Sequence, residues 1–217
     1  MIEDLKINFP PECVVYGVEQ ANLNDLYQQE KQIVEDFGDK PKEQFCMGRR
    51  AAHLCLEDFK ASMPVLRGKN REPLWPNHLV GSITHTRGIA IAVVAEKDVI
   101  SGVGIDCEYI ARKMNLKVAK RFTTKFEQDW IFADDTKSQQ RLLKILSAKE
   151  AIFKTFFPME EVYLNFLDAQ ILPSEKGFRA ILFKKPTNLW DLNTDFEVNQ
   201  CVYKDYLISS VYLRANE

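Results

Sequence analysis

The chain is 217 residues long, with 46% hydrophobic and 28% charged residues. Such globular proportions exclude a wholly disordered or fibrous chain, and the length suffices for one large domain or two small halves around a real core. Twenty-nine basic against 31 acidic side chains leave a formal net charge of -2, a balance that argues against a general nucleic-acid coat or a polybasic membrane binder.

Cys13, Cys46, Cys55, Cys107 and Cys201 are odd in number and nowhere spaced CxxC. They read as reduced thiols, with neither a disulfide framework nor a zinc site. The start MIEDLKINFPPECVV is acidic and lacks the charged-then-apolar order of a signal peptide. The cleanest apolar run, Ile89 to Ala95, is far short of the roughly 20 residues of a membrane helix. The expectation is a cytoplasmic protein with no nucleic acid and no membrane among its partners.

Residues 1–39 carry nine acids and two bases, and residues 40–71 carry eight bases and three acids. An acidic segment therefore abuts a basic one, which suits a small polyanion better than a long one. A helix is expected from Pro41 to Ala61, opened by one proline and ended by Pro64, with Phe45, Gly48, Ala52, Cys55 and Phe59 as its buried stripe. The loop RGKNREPLWPNH follows. Three strand-like runs come next, Gly81–Thr86, Gly88–Ala95 and Val99–Glu108, with turn signals at Arg87-Gly88 and Lys97-Asp98. Helical segments are expected over Thr124–Phe132 and Gln140–Phe157, broken at Asp134–Ser138, and strands near Glu161–Leu172, Gly177–Phe183, Phe196–Tyr203 and Tyr206–Leu213. The order is helix, loop, strands, twice over. No repeat is visible in the letters, so duplication rests on that order alone.

Four places carry charges or donors where a core would not want them. In Val103-Gly104-Ile105-Asp106-Cys107-Glu108 an apolar strand ends in two acids at i and i+2, which share a face. Side by side they repel unless a cation joins them, and oxygen pairs of this kind suit Mg²⁺. The plainer alternative is a strand turning polar at its solvent end. In Ser147-Ala148-Lys149-Glu150 the helical neighbours of Lys149 are all apolar and those of Glu150 mostly so. Both need partners from elsewhere, a phosphate and a metal ion being one solution. Pairing of Glu150 with Lys154 at i+4, and snorkelling of Lys149 to the surface, are the others. His85 stands near the end of a short strand, able to meet a phosphate or act as an acid or base; His53 and His78 read as structural residues. Arg49 borders the buried helix stripe, and its fork matches phosphate oxygens. No Walker loop, GxGxxG after a strand, HExxH or GxSxG is present.

In this order, Gly48-Arg49, then Arg71, Pro73, Trp75 and Pro76, then Gly81-Ser82-Ile83-Thr84-His85, then Gly104-Ile105-Asp106-Cys107-Glu108, then Ser147-Ala148-Lys149-Glu150 through Phe153-Lys154, the motifs resemble those of the 4′-phosphopantetheinyl transferases. The tryptophan-proline loop before the histidine strand is most similar to the enterobactin synthetase component D group, which serves siderophore and other peptide synthetases. Residues 45–157 carry the resemblance; the flanks match only in general character. Cys107 and Ala151 depart from the residue types more usual at their positions, without removing a ligand.

The resemblance implies an α+β fold of two pseudo-symmetric halves, 1–108 on the nucleotide side of coenzyme A and 109–217 carrying the Lys-Glu helix, with the active site in the cleft between them. It implies a holo-[carrier protein] synthase: transfer of 4′-phosphopantetheine from coenzyme A to a serine of an apo carrier domain (peptidyl, aryl or acyl), releasing adenosine 3′,5′-bisphosphate, by a monomer in nonribosomal peptide or siderophore synthesis. Carried over, Asp106, Glu108 and Glu150 hold Mg²⁺, Lys149 and Lys154 meet the pyrophosphate, His85 and Arg49 the nucleotide phosphates, and Arg71 the loop at the nucleotide end. Glu150 is the expected general base, directly or through a metal-bound water, the alternative base being a metal-bound hydroxide with Glu150 only a ligand. A Mg²⁺-dependent coenzyme A pyrophosphohydrolase and a non-catalytic coenzyme A or carrier-binding module are the competing readings.

Overall fold

A computed structural model describes residues 2, 7–160, 163–174, 177–185 and 195–215. Strand β1 spans Cys13–Val18; after a 3₁₀ turn come α1 (Gln28–Ile33) and α2 (Asp39–Asp58). A small hairpin, β2 (Leu66–Arg67) and β3 (Pro73–Leu74), leads to β4 (Leu79–Thr86), β5 (Ile89–Glu96) and β6 (Ile100–Tyr109). Helices α3 (Lys125–Phe132) and α4 (Ser138–Glu160) follow, then β7 (Ala169–Ser174), β8 (Gly177–Leu182), β9 (Asp195–Tyr203) and β10 (Tyr206–Arg214). The expected α+β architecture is what is found. The long helices and central strands lie where the sequence puts them, within a few residues. β1 and the β2–β3 hairpin were not foreseen. The strand expected from Glu161 begins at Ala169, after a 3₁₀ turn over Phe166–Asp168; residues 161–162 lie outside the described residues.

The strands form two main sheets, β1-β5-β4 and β6-β10-β9-β8-β7, all their pairings antiparallel. β5 is apolar on both faces because both are covered. Ala90, Ala92 and Val94 pack with Met47, Ala51 and Cys55 of α2. Ile89, Ile91, Val93 and Ala95 face the other way, into a middle core with Val103, Ile105 and Cys107 of β6 and Ile208 of β10. A third core gathers Leu142, Ile145, Ala148, Ile152 and Phe156 of α4 over the second sheet. The order is thus helix, sheet, sheet, helix, the two sheets sharing the middle core.

The sheets also meet along their edges β4 and β6, where side chains replace the backbone ladder. The Ile105 amide donates to Ser82 Oγ at 3.2 Å, and the Cys107 amide to Thr84 Oγ1 at 3.0 Å. The hydroxyls satisfy amides that would otherwise be orphaned while keeping the strands too far apart for direct bonds. This seam is the floor of the cleft.

The two halves repeat one buried device. Glu30 and Glu127 both stand at the third position of a short helix and accept the backbone N–H of its cap residue, Tyr27 at 2.9 Å and Thr124 at 2.6 Å. Each also accepts a backbone N–H from the chain beyond the next long helix, Val65 at 2.8 Å and Ile171 at 2.7 Å. Each faces cationic or ionisable groups on that long helix: His53 at 2.9 Å and Arg49 at 4.0 Å on α2, Lys149 at 2.8 Å on α4. The duplication hidden in the letters appears as two matched carboxylates.

Candidate active site

The site is built from the α4 face of β6. Gly102, Gly104, Asp106 and Glu108 alternate onto that face. A Cβ on Gly104 would lie 2.1 Å from the Ala151 carbonyl and 2.3 Å from Thr155 Oγ1, and one on Gly102 would lie 3.1 Å from the Thr155 carbonyl. The two glycines therefore let α4 settle onto the strand backbone. Beside this contact, Ser147 of α4 receives a 2.8 Å hydrogen bond from Ser209 of β10. With the helix seated so close, the next residues on the same face, Asp106 and Glu108, come level with Glu150 and Lys154.

Lys154 Nζ donates to Asp106 Oδ1 at 2.8 Å and to the Ile105 carbonyl at 3.1 Å. Thr84 Oγ1 stands 3.5 Å from the same Asp106 oxygen. Asp106 is only 6% exposed, and among the described residues its Oδ2 has no hydrogen-bond partner. Glu108 is held by the Arg112 guanidinium. Burial raises the pKa of Glu108, with Asp106 adding repulsion that Arg112 opposes. Burial likewise raises that of Glu150; Lys154 pulls it down, while Asp106 and Glu108 push it further up.

Asp106, Glu108, Lys154 and His85 line one cleft of about 600 Å³, with Lys40 and Gln44 of α2 at its side. Glu150 lines a neighbouring cleft of about 670 Å³ with Arg121, Phe153, Tyr163 and Phe166. The three acids are close enough to repel one another. Yet among the described residues no group of three His, Cys, Asp or Glu side chains is gathered as a ready metal cage, because Lys154 and Arg112 hold two of the carboxylates. The donor set nonetheless fits a hard divalent cation: three carboxylates, one with an orphaned buried oxygen, two destabilised in their charged form.

His85 projects from β4 at the mouth of the cleft, open to solvent on one side. Desolvation by its surroundings lowers its pKa, and Lys154 adds to that, so at neutral pH it is uncharged, with one ring N–H to donate. Arg49 is 7% exposed and its pKa is pushed down to about 10 by burial. It stacks on Phe45, with the guanidinium carbon 4.3 Å from the ring centre, reaches the Leu66 carbonyl only at 3.5 Å, and has its Nε 4.0 Å from Glu30 Oε1 with no hydrogen-bond partner among the described residues. Glu30 is taken by His53, which is structural, as expected. Arg49 is thus a buried cation short of acceptors, the condition of a residue awaiting an anion. Arg71 sits exposed in the turn of the β2–β3 hairpin, with φ of 73°.

Lys149 requires a correction. It was expected to meet a pyrophosphate, but it is 3% exposed, and its ammonium donates to Glu127 Oε2 at 2.8 Å and to the carbonyls of Phe122 at 3.0 Å and Phe166 at 2.7 Å. Those bonds take all three of its protons. The apolar helix face that made Lys149 conspicuous faces the core of the second half, and its partner comes from α3. Sequence reasoning overlooked Glu127, although Thr124-Lys125-Phe126-Glu127 has the capping-box pattern that marks it.

A family model for the 4′-phosphopantetheinyl transferase N-terminal domain matches residues 29–95, and one for the 4′-phosphopantetheinyl transferase superfamily matches residues 102–209. The chain is 33% identical over 137 residues to 4′-phosphopantetheinyl transferase PptT of Mycobacterium tuberculosis, a stretch that is 61% of this chain and 58% of that protein. It is 31% identical over 163 residues to 4′-phosphopantetheinyl transferase Npt of Nocardia iowensis, covering 71% and 72% of the two chains. Enterobactin synthase component D of Salmonella austin is 31% identical over 119 residues, 55% of this chain and 49% of that one.

Proposed function

The chain belongs to the 4′-phosphopantetheinyl transferase superfamily, and from that premise we propose that it moves 4′-phosphopantetheine from coenzyme A to a serine of an apo carrier-protein domain, releasing adenosine 3′,5′-bisphosphate. The reading extends to Mg²⁺ dependence and to a monomer acting in the cytoplasm for nonribosomal peptide or siderophore synthesis. The observation that carries it is the meeting, at the seam of the two sheets, of Asp106 with its orphaned oxygen, Lys154 and His85 in one cleft beside Glu150. In this reading residues 1–108 supply Arg49 and His85 for the nucleotide phosphates, and residues 109–217 supply Glu150 and Lys154 for the transfer.

The chemistry follows from charge. Phosphoryl transfer leaves little covalent work to the protein, so positioning and electrostatics dominate. Asp106, Glu108 and Glu150 would hold Mg²⁺, which when bound supplies positive charge to the pyrophosphate oxygens. Lys154, at the border of the two clefts, offers its ammonium to the same oxygens. Arg49 gains in a phosphate the acceptors it lacks in the fold. Neutral His85 donates one N–H without competing for the proton that the serine must release. Glu150 is the base for that proton in this reading. The apolar walls of the Glu150 cleft, Phe153, Tyr163 and Phe166, suit the uncharged pantetheine arm.

The test is incubation with coenzyme A, Mg²⁺ and an apo carrier domain, read by intact mass. The expected outcome is a gain of one phosphopantetheine on the carrier serine. Free phosphopantetheine with no carrier gaining mass would favour the pyrophosphohydrolase reading instead; tight coenzyme A binding with no product of either kind would favour the binding module.

A further inference from the structure

Glu127 lies in neither cleft, yet it is bonded to Lys149, the residue that precedes Glu150. Its Oε2 accepts from the Thr124 amide at 2.6 Å and from Lys149 Nζ at 2.8 Å, and its Oε1 accepts from the Ile171 amide at 2.7 Å. Lys149 carries the linkage on to the carbonyls of Phe122 and Phe166. The two side chains are 0% and 1% exposed, so water cannot substitute for any of these bonds. One ion pair thus joins the start of α3, the middle of α4, the Phe166 turn and β7. Arg121, Phe166 and Ala169, beside three of its anchor points, line the cleft into which Glu150 projects, and Glu150 is the next residue after Lys149 on α4.

We propose that Glu127 and Lys149 are positioning residues for the transfer, a buried clamp that fixes the rotation of α4 against the 163–171 wall and so aims the Glu150 carboxylate. The assignment rests on the transferase reading above. Apolar packing is weakly directional, whereas three hydrogen bonds to one buried ammonium fix both its position and its angle. Misplacing a reacting group by about 1 Å costs about a hundredfold in rate. The first half has the same carboxylate in Glu30, but there the partner at bonding distance is His53, while Arg49 stays 4.0 Å away. In the first half a single imidazole makes the bond to the long helix; in the half that carries Glu150 an ammonium makes it and adds two carbonyl acceptors.

The experiment compares Glu127→Gln and Lys149→Met with wild type, with folding checked by circular dichroism. It measures coenzyme A affinity by calorimetry and kcat for carrier modification. The expected result is a kcat lowered about tenfold to a hundredfold in both variants, with the coenzyme A Kd within about twofold of wild type. A direct phosphate contact by Lys149 predicts the reverse: Kd weakened about tenfold or more in Lys149→Met, and unchanged kcat in Glu127→Gln, where the lysine is intact. Either of those results overturns the clamp. If Lys149→Met does not fold, Glu127→Gln decides, since glutamine keeps an acceptor for the Ile171 amide. Failure of Glu127→Gln to fold would also overturn it, because a pair needed for folding has no separable positioning role. A wild type that modifies no carrier sinks the transferase reading, while the Kd comparison still judges Lys149.

Discussion

Asp106 is held by Lys154 on one oxygen and, among the described residues, by no hydrogen bond on the other, inside a protein where an unmatched carboxylate oxygen is expensive. A residue kept that way for stability alone would be replaceable at a gain. Asp106→Asn keeps the shape, removes the charge and relieves part of the repulsion on Glu150. Lys154 is not stranded, because its side chain is 27% exposed. The expected outcome is a loss of transfer of about a hundredfold or more, with the melting temperature within about 4 °C of wild type. Thermal melts with and without Mg²⁺ give a readout independent of turnover: Mg²⁺ raises the wild-type midpoint and leaves that of the variant unmoved. At this scale the acids were readable because a strand's period of two puts Asp106 and Glu108 on one face whatever surrounds them. Lys149 was misread because periodicity reports that a charge is buried but not what it is buried against. Its partner is 22 residues away on another helix, and only the fold brings them together.

Between elements, the decisive contact is α4 on β6, and it depends on the absence of side chains. Gly102 and Gly104 of β6 are the seat of the helix. Gly104→Ala would drive a methyl into the Ala151 carbonyl and the Thr155 hydroxyl. Both belong to α4, so the whole helix must shift. A destabilisation of about 3 kcal/mol is expected in urea unfolding, together with loss of transfer as Glu150 and Lys154 leave the level of Asp106. Gly48→Ala is the comparison: its methyl would meet only the Ile83 side chain at 3.0 Å, and about 1 kcal/mol is expected. Equal costs at the two positions would mean that the α4 seat is not special. The long elements were legible because helical stripes and apolar strand runs are local signals. β1, six residues between a proline pair and an acidic stretch, was not. It exists because its whole length pairs with β5, Cys13 with Ala95 through Val18 with Ala90, a partner that no local window contains.

Across the whole molecule, the two sheets share an apolar core and meet along a polar seam, and these have different work to do. The core of Ile91, Val93, Val103 and Ile105 supplies cohesion without direction. The seam of Ser82 and Thr84 supplies direction: it fixes how far β4, which bears His85, stands from β6, which bears Asp106. Thr84→Val keeps the volume but removes the acceptor for the Cys107 amide and the hydroxyl beside Asp106, and an orphaned buried amide costs about 1–3 kcal/mol. Thr84→Ser keeps the hydroxyl and loses only a methyl, a cost of about 1 kcal/mol. The double variant Ser82→Ala, Thr84→Val orphans two neighbouring amides on one strand. Because the middle core still spans both sheets, it should unfold in urea as a single transition with a lower midpoint and an unchanged slope. Its coenzyme A affinity and transfer should fall together, since the strands that bear His85 and Asp106 lose their set spacing. Two separate transitions would mean that the hydroxyl seam, not the shared core, makes the halves one cooperative unit; unchanged affinity and transfer in a destabilised protein would mean that the spacing of the strands does not set the site.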